Sequence, residues 1–143
     1  MHSQFNEEII IQSHFPLNYI GNCVEIGLGN GSAGSVSLSF EEKGWNCLCI
    51  EANPILAEIA SDTFHRKNVL NYAVGNENIA SVDFHICRLD YENESAVSSL
   101  KIDSRLYDDH KHLIKLERTI QVELKTLDTI LEEANIFNYI EYY

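Results

Sequence analysis

The stretch VEIGLGNGSAGSVSLSF, residues 24–40, places four glycines (Gly27, Gly29, Gly31 and Gly34) within eight residues, directly after an apolar run. Glycine adopts left-handed backbone without strain and leaves bare the peptide groups that a side chain would cover. An apolar run, so open a turn and then a helix-compatible segment make the strand–loop–helix unit from which α/β folds are built. In such a unit the loop backbone and the helix amino terminus face whatever ligand lies beyond the strand.

The rest of the chain continues the alternation. NCVEIG reads as the first strand, and SAGSVSLSFEEKG as a helix carrying Val36, Leu38 and Phe40, with Gly44 as its C-cap. WNCLCIEA is a second strand. Asn53 and Pro54 then start a helix whose Ile55, Leu56, Ile59, Ala60 and Phe64 fall on one face. NVLNYAV reads as a third strand and IASVDFHIC as an added one, followed by a polar, poorly patterned insertion from Arg88 to about Lys115. TIQVEL is again a strand, TLDTILEEAN a short helix with Leu127, Ile130 and Leu131 inward, and FNYIEYY a last strand. Strands and helices at these spacings predict one Rossmann-like domain over residues 1–143, a parallel sheet covered by helices.

Charge restricts the partners. Asp and Glu number 22 against 10 Lys and Arg, a formal net charge of -12, which argues against nucleic acid. The apolar runs fall far short of the ~20 residues of a membrane span, and MHSQFNEE lacks the basic and apolar regions of a signal peptide. A cytoplasmic protein with no membrane partner is expected. Cys23, Cys47, Cys49 and Cys87 show no metal-site spacing and read as buried free thiols. His110 and His112 near Asp108, in DDHKH, read as solvated loop, so no metal is expected.

Two glycine registers overlap in the loop. Gly27, Gly29 and Gly31 spell G-x-G-x-G; Gly29, Gly31 and Gly34 spell the dinucleotide pattern G-x-G-x-x-G. Glu51, closing the second strand, stands where a carboxylate accepts hydrogen bonds from ribose hydroxyls in either register. Charge separates the two readings. No Lys or Arg precedes Lys43, so the loop lacks the cation that nucleotide loops commonly add for a diphosphate. Instead Glu25 lies just ahead of the glycines, and a carboxylate there suits a ligand bearing an ammonium and a sulfonium, which describes S-adenosylmethionine (SAM). Two alternatives stay open: an NAD-binding oxidoreductase on the Gly29 register, and a non-catalytic interaction module.

The sequence resembles the FkbM-type methyltransferases along its length. SQFNEE is similar to that family's opening segment, NCVEIGLGNG to its first SAM motif and GWNCLCIEANP to the segment ending its second strand. NYAVGNEN and VELKTLDTIL resemble its later motifs. The resemblance implies a Rossmann-like methyltransferase fold, SAM as methyl donor, and transfer to a hydroxyl of a small molecule or sugar. It assigns cofactor contacts to Glu25 near the methionine end, to the backbone of Gly27, Gly29, Asn30 and Gly31, to Glu51 and Ala52 at the ribose, and to Ala73 and Val74 at the adenine edge. It places Gln4 and Glu7 on the acceptor side. It assigns no catalytic residue, because the family's Ser-Leu-Asp-x-Glu-Gly follows the strand resembling NYIEYY and this sequence ends at Tyr143. The domain is therefore expected to be incomplete at its carboxyl end and not to turn over alone. A sheet edge at Tyr139, Ile140, Tyr142 and Tyr143 is expected to support a homodimer.

Each assignment has a structural alternative. The lesser readings are Glu25 as a solvent-facing strand carboxylate, Glu51 as a helix cap and the glycines as a turn that binds nothing, while Gln4 and Glu7 read equally as a solvated first turn.

Overall fold

The computed structural model describes residues 2–3, 5–89, 98–101 and 113–135. Helix α1 (Glu7–Gln12) precedes strand β1 (Asn22–Ile26), helix α2 (Ser37–Glu42), strand β2 (Asn46–Ile50) and helix α3 (Pro54–Asp62). Strands β3 (Val69–Leu70), β4 (Ala73–Gly75), β5 (Ile79–Leu89) and β6 (Ile114–Thr126) lead to helix α4 (Leu127–Glu133).

The strands form two three-stranded sheets. In the first, β1 and β3 flank β2, all parallel, with Asn22 opposite Asn46 and Ile26 opposite Ile50. The second has β6 at its centre, parallel to β4 and antiparallel to β5. Alternation along β2 sends its side chains to two buried layers. Cys47 and Cys49 pack with Phe40 of α2, Trp45 just ahead of β2 and Ala60 of α3, while Leu48 and Ile50 pack with Ile130 and Leu131 of α4. The first sheet is thus covered on both faces. A third cluster, Ala73, Phe84, Ile86, Val122 and Leu124, lies on the second sheet.

Local chemistry explains most boundaries. Gly44 adopts φ 92° and closes α2, its N–H donating to the Glu41 carbonyl and that of Trp45 to Phe40. The Asn53 side chain accepts from Ile55 N at the start of α3, with Pro54 in its first turn. Thr126 caps α4 through Thr129 N. Leu127, Ile130 and Leu131 face inward as their spacing predicts.

Several expectations are corrected. NVLNYAV is two short strands in different sheets, so the one parallel sheet expected from the alternation is divided. Between them Asn71 donates from Nδ2 to the carbonyls of Glu51 at 2.7 Å and Ala52 at 3.0 Å, which turns the chain away from β2. Strand β6 begins at Ile114, inside the segment read as insertion, because its pairing with the long β5 sustains it despite a polar, exposed face. Only Ser37–Glu42 of the first predicted helix is helical, and its buried face carries Ser37, Ser39 and Glu41 beside Phe40. On α3 the buried residues are Leu56, Ala57 and Ala60, whereas Ile55 and Phe64 are exposed. Small side chains face inward there because the glycine loop comes close. Residues 136–143, including the expected last strand and dimer edge, lie outside the described residues, as do Gln4, Asp108, His110 and His112. Among the described residues no helix is long and apolar enough to cross a membrane.

Candidate functional site

The glycine loop leaves the carboxyl end of β1 and turns at once over β2. The N–H groups of Gly27 and Leu28 both donate to the Ile50 carbonyl, at 2.9 and 3.2 Å. All four loop glycines take positive φ, from 63° at Gly29 to 83° at Gly31. Their surroundings differ. A Cβ at Gly27, Gly29 or Gly34 would meet nothing within 4 Å, but one at Gly31 would lie 2.7 Å from the Ala60 Cβ of α3. Gly31 is therefore where loop and helix touch, and the other three have open space where a side chain would stand.

Glu51 follows β2 and is buried. Its Oε2 accepts from Gly29 N at 2.7 Å and its Oε1 from Asn53 N at 2.8 Å, so one carboxylate joins the loop to the start of α3. Burial pushes its pKa above the ordinary 4.5, opposed by those backbone bonds and one from Ala52.

Beside this carboxylate is a cavity of about 340 Å³. Ile26, Gly27, Leu28, Gly29, Ala33 and Gly34 line one side; Glu51, Ala52 and Leu56 another; Ala73, Val74 and Phe84 a third. Ser98 and Leu100 complete the wall, carried there by backbone bonds between His85 and Ser99 that fold this segment onto β5. No Lys or Arg is among the described lining residues, and Glu51 is their only carboxylate. A larger cavity of about 530 Å³ opens at the start of β2, around Asn46, Lys67 and Glu133, and contains no residue of the glycine loop.

The residues expected at the site therefore separate. Gly27, Gly29, Glu51, Ala52, Ala73 and Val74 share the cavity. Asn30, Gly31 and Glu25 do not line it. Asn30 Oδ1 accepts from the N–H groups of Ser32 and Ala33 and shapes the turn. The Glu25 carboxylate accepts from the hydroxyls of Ser35 and Ser37 and from the N–H groups of Val36 and Ser37, holding the entry to α2. Glu7 donates its N–H to Ser3 Oγ and accepts from Phe5 N, within the N-terminal segment.

A buried cation also stands under the loop, where the order of the sequence gave no sign of one. Arg66, after α3, donates from Nε to Glu41 at 3.0 Å, and from Nη1 to the Gly31 carbonyl at 2.7 Å and Ser35 Oγ at 3.0 Å. Its Nη2 reaches Ser37 Oγ at 2.6 Å and Cys49 Sγ at 3.2 Å. Every nitrogen of the guanidinium is engaged, and the side chain does not line the cavity. Among the residues missed by motif reading, Gly34 carried a signal as part of the second register; Leu56, Phe84, Ser98 and Leu100 carried none.

Comparison with protein families matches residues 24–142 to the methyltransferase FkbM domain. The chain belongs to the FkbM methyltransferase family. The match begins within β1 and spans the glycine loop, Glu51, strands β2 to β6 and α4 of this FkbM-family chain, and agrees with the resemblance read from the motifs that lie within it. Comparison with curated proteins and with solved structures gave no match.

Proposed function

We propose that this chain is a SAM-dependent methyltransferase of Rossmann-like fold, acting on a hydroxyl of a small molecule or sugar. The observation that carries the reading is the cavity: open glycine backbone on one side, one buried carboxylate, and no cation among the described lining residues. Gly27 and Gly29 allow close approach of a ligand to the backbone. Glu51 would hold the ribose through two hydroxyl donors, and Ala52, Ala73 and Val74 offer an apolar edge to a purine. When bound, SAM supplies an electrophilic methyl group; the protein's part is to hold the acceptor oxygen in line with it and to keep water away. Glu25 supports this site from beneath the loop rather than by contact.

Calorimetric titration with SAM, S-adenosylhomocysteine, NAD and ATP tests the reading. S-adenosylhomocysteine or SAM binding more tightly than NAD supports it, and tighter NAD would transfer the site to the dinucleotide register, for which Gly34 in the cavity wall is the favouring observation. Binding of none of the four would leave an interaction module. Self-association through FNYIEYY, proposed from its apolar and aromatic residues with Glu141 the one charge in the segment, is read by light scattering after gel filtration; a monomer at high micromolar concentration refutes it.

A further inference from the structure

Cys23 and Cys47 are direct partners across the parallel strands β1 and β2. Neighbouring strands lie about 4.8 Å apart, within the roughly 4.4–6.8 Å between Cα atoms that a disulfide can bridge. Both side chains turn toward the same layer, packing with Phe40 and Trp45 beneath α2. The nearness of the two thiols holds the Cys23 thiol below its ordinary pKa and, with burial, pushes Cys47 upward, while Cys47 Sγ donates to the Ser37 carbonyl at 3.5 Å. Their access to solvent differs. Cys47 is fully buried, whereas Cys23 is half-buried and lines an apolar cavity of about 370 Å³ at the edge of β1, with Ile11, Phe15 and Val36. The remaining thiols are placed otherwise: Cys49 is held by Arg66 and Ser37, and Cys87 is buried on β5 in the other sheet.

We propose that Cys23 and Cys47 are a redox-active dithiol which a low-molecular-weight disulfide converts to an intrachain disulfide joining β1 to β2. The open cavity sets the order of events. Cys23, as thiolate after losing its proton to water, attacks one sulfur of the small disulfide; that S–S bond breaks and one small thiolate leaves, taking up a proton. Cys47 then loses its proton to solvent, and its sulfur attacks the Cys23 sulfur of the mixed disulfide, expelling the second small thiol. Two protein thiols are oxidised and one small disulfide is reduced to two thiols. Because the two residues already stand opposite each other across β1 and β2 and face the same layer, the second step needs no rearrangement of strands.

Incubation of the whole chain with glutathione disulfide, followed by alkylation under denaturing conditions and fragmentation of the linked peptides, tests this. The expected product has Cys23 joined to Cys47, with Cys49 and Cys87 alkylated, and dithiothreitol restores four alkylatable thiols. Cys49→Ser should give the same link, and Cys47→Ser should stop at a glutathione adduct on Cys23. A link through Cys49 that Cys49→Ser abolishes, or four thiols alkylated after long incubation, overturns the proposal. The peptide mapping is done on the unsubstituted chain and stands even where a variant does not fold.

Discussion

At the scale of single residues, Gly27 and Gly29 face the cavity with room to spare, while Gly31 is pressed on Ala60. Alanine at Gly27 or Gly29 costs about 1–2 kcal/mol for its left-handed backbone. Its methyl group would also project from the loop, so S-adenosylhomocysteine binding should fall at least tenfold while the melting temperature drops modestly. Alanine at Gly31 adds roughly 1–3 kcal/mol of overpacking and should show chiefly as lost stability. Titration calorimetry and thermal denaturation of the three variants separate the two roles. Glu51 has its own signature in pH. Its folded pKa lies above 4.5, so its contribution favours the fold below 4.5 and is lost as pH rises through the raised value. Ligand affinity should run the other way, rising as the carboxylate ionises to accept two hydroxyl donors. Glu51→Gln should flatten both profiles and weaken binding by about 1.5–3 kcal/mol; calorimetry across that pH range checks it.

Those two acids also show what the sequence could tell. Both flank the glycines as the motif requires, and motif reading gave both to the cofactor. Position along the strand separates them: Glu25 shares a strand face with Cys23, which packs beneath α2, so its carboxylate meets the start of that helix. Glu51 comes after β2 has ended and is free of that constraint. The period of two alone would put both on one face, so the end of β2 at Ile50 is what distinguishes them; the polar underside of α2 was not legible, because Ser37 meets a guanidinium from residue 66 and Ser39 the Glu8 carboxylate.

Among elements, Arg66 is the joint. It ties α2 through Glu41, β2 through Cys49, and the loop through the Gly31 carbonyl, with a side chain fully withdrawn from solvent. Arg66→Met should lose about 3–5 kcal/mol, since Glu41 keeps a buried charge without its partner. Chemical denaturation measures this. Ligand affinity should also fall in the fraction still folded, because the loop loses its anchor. The pairing of β1 with β2 and the capping of α3 and α4 were readable from local pattern, since apolar runs, Asn-Pro and Thr-x-x-Thr act within a few residues. The division of NVLNYAV was not, because it depends on Asn71 meeting carbonyls some twenty positions earlier.

For the molecule as a whole, two sheets meet the cavity beside Glu51 from different sides: β1 and β2 deliver the loop and Glu51, while β4 and β5 deliver Ala73, Val74 and Phe84. A ligand bridging them should stabilise the entire fold. At a hundred times its dissociation constant, S-adenosylhomocysteine is expected to add about 2.7 kcal/mol, read as a rise in melting temperature that NAD at equal concentration does not match. An equal rise with NAD would count against the SAM register.

The cation under the loop has a consequence for engineering. Residues 24–40 look like a transplantable cassette, a strand and a glycine turn for another α/β scaffold to receive whole. Their shape is held from a distance, by a guanidinium delivered from beyond α3 and a carboxylate from the end of β2. A recipient lacking those two groups would leave the Gly31 carbonyl and the hydroxyls of Ser35 and Ser37 without their donor, and the Gly29 amide without its acceptor. The unit of inheritance for this site is a set of contacts spread over some forty residues, and swapping the glycine motif alone would transfer its spelling without its geometry.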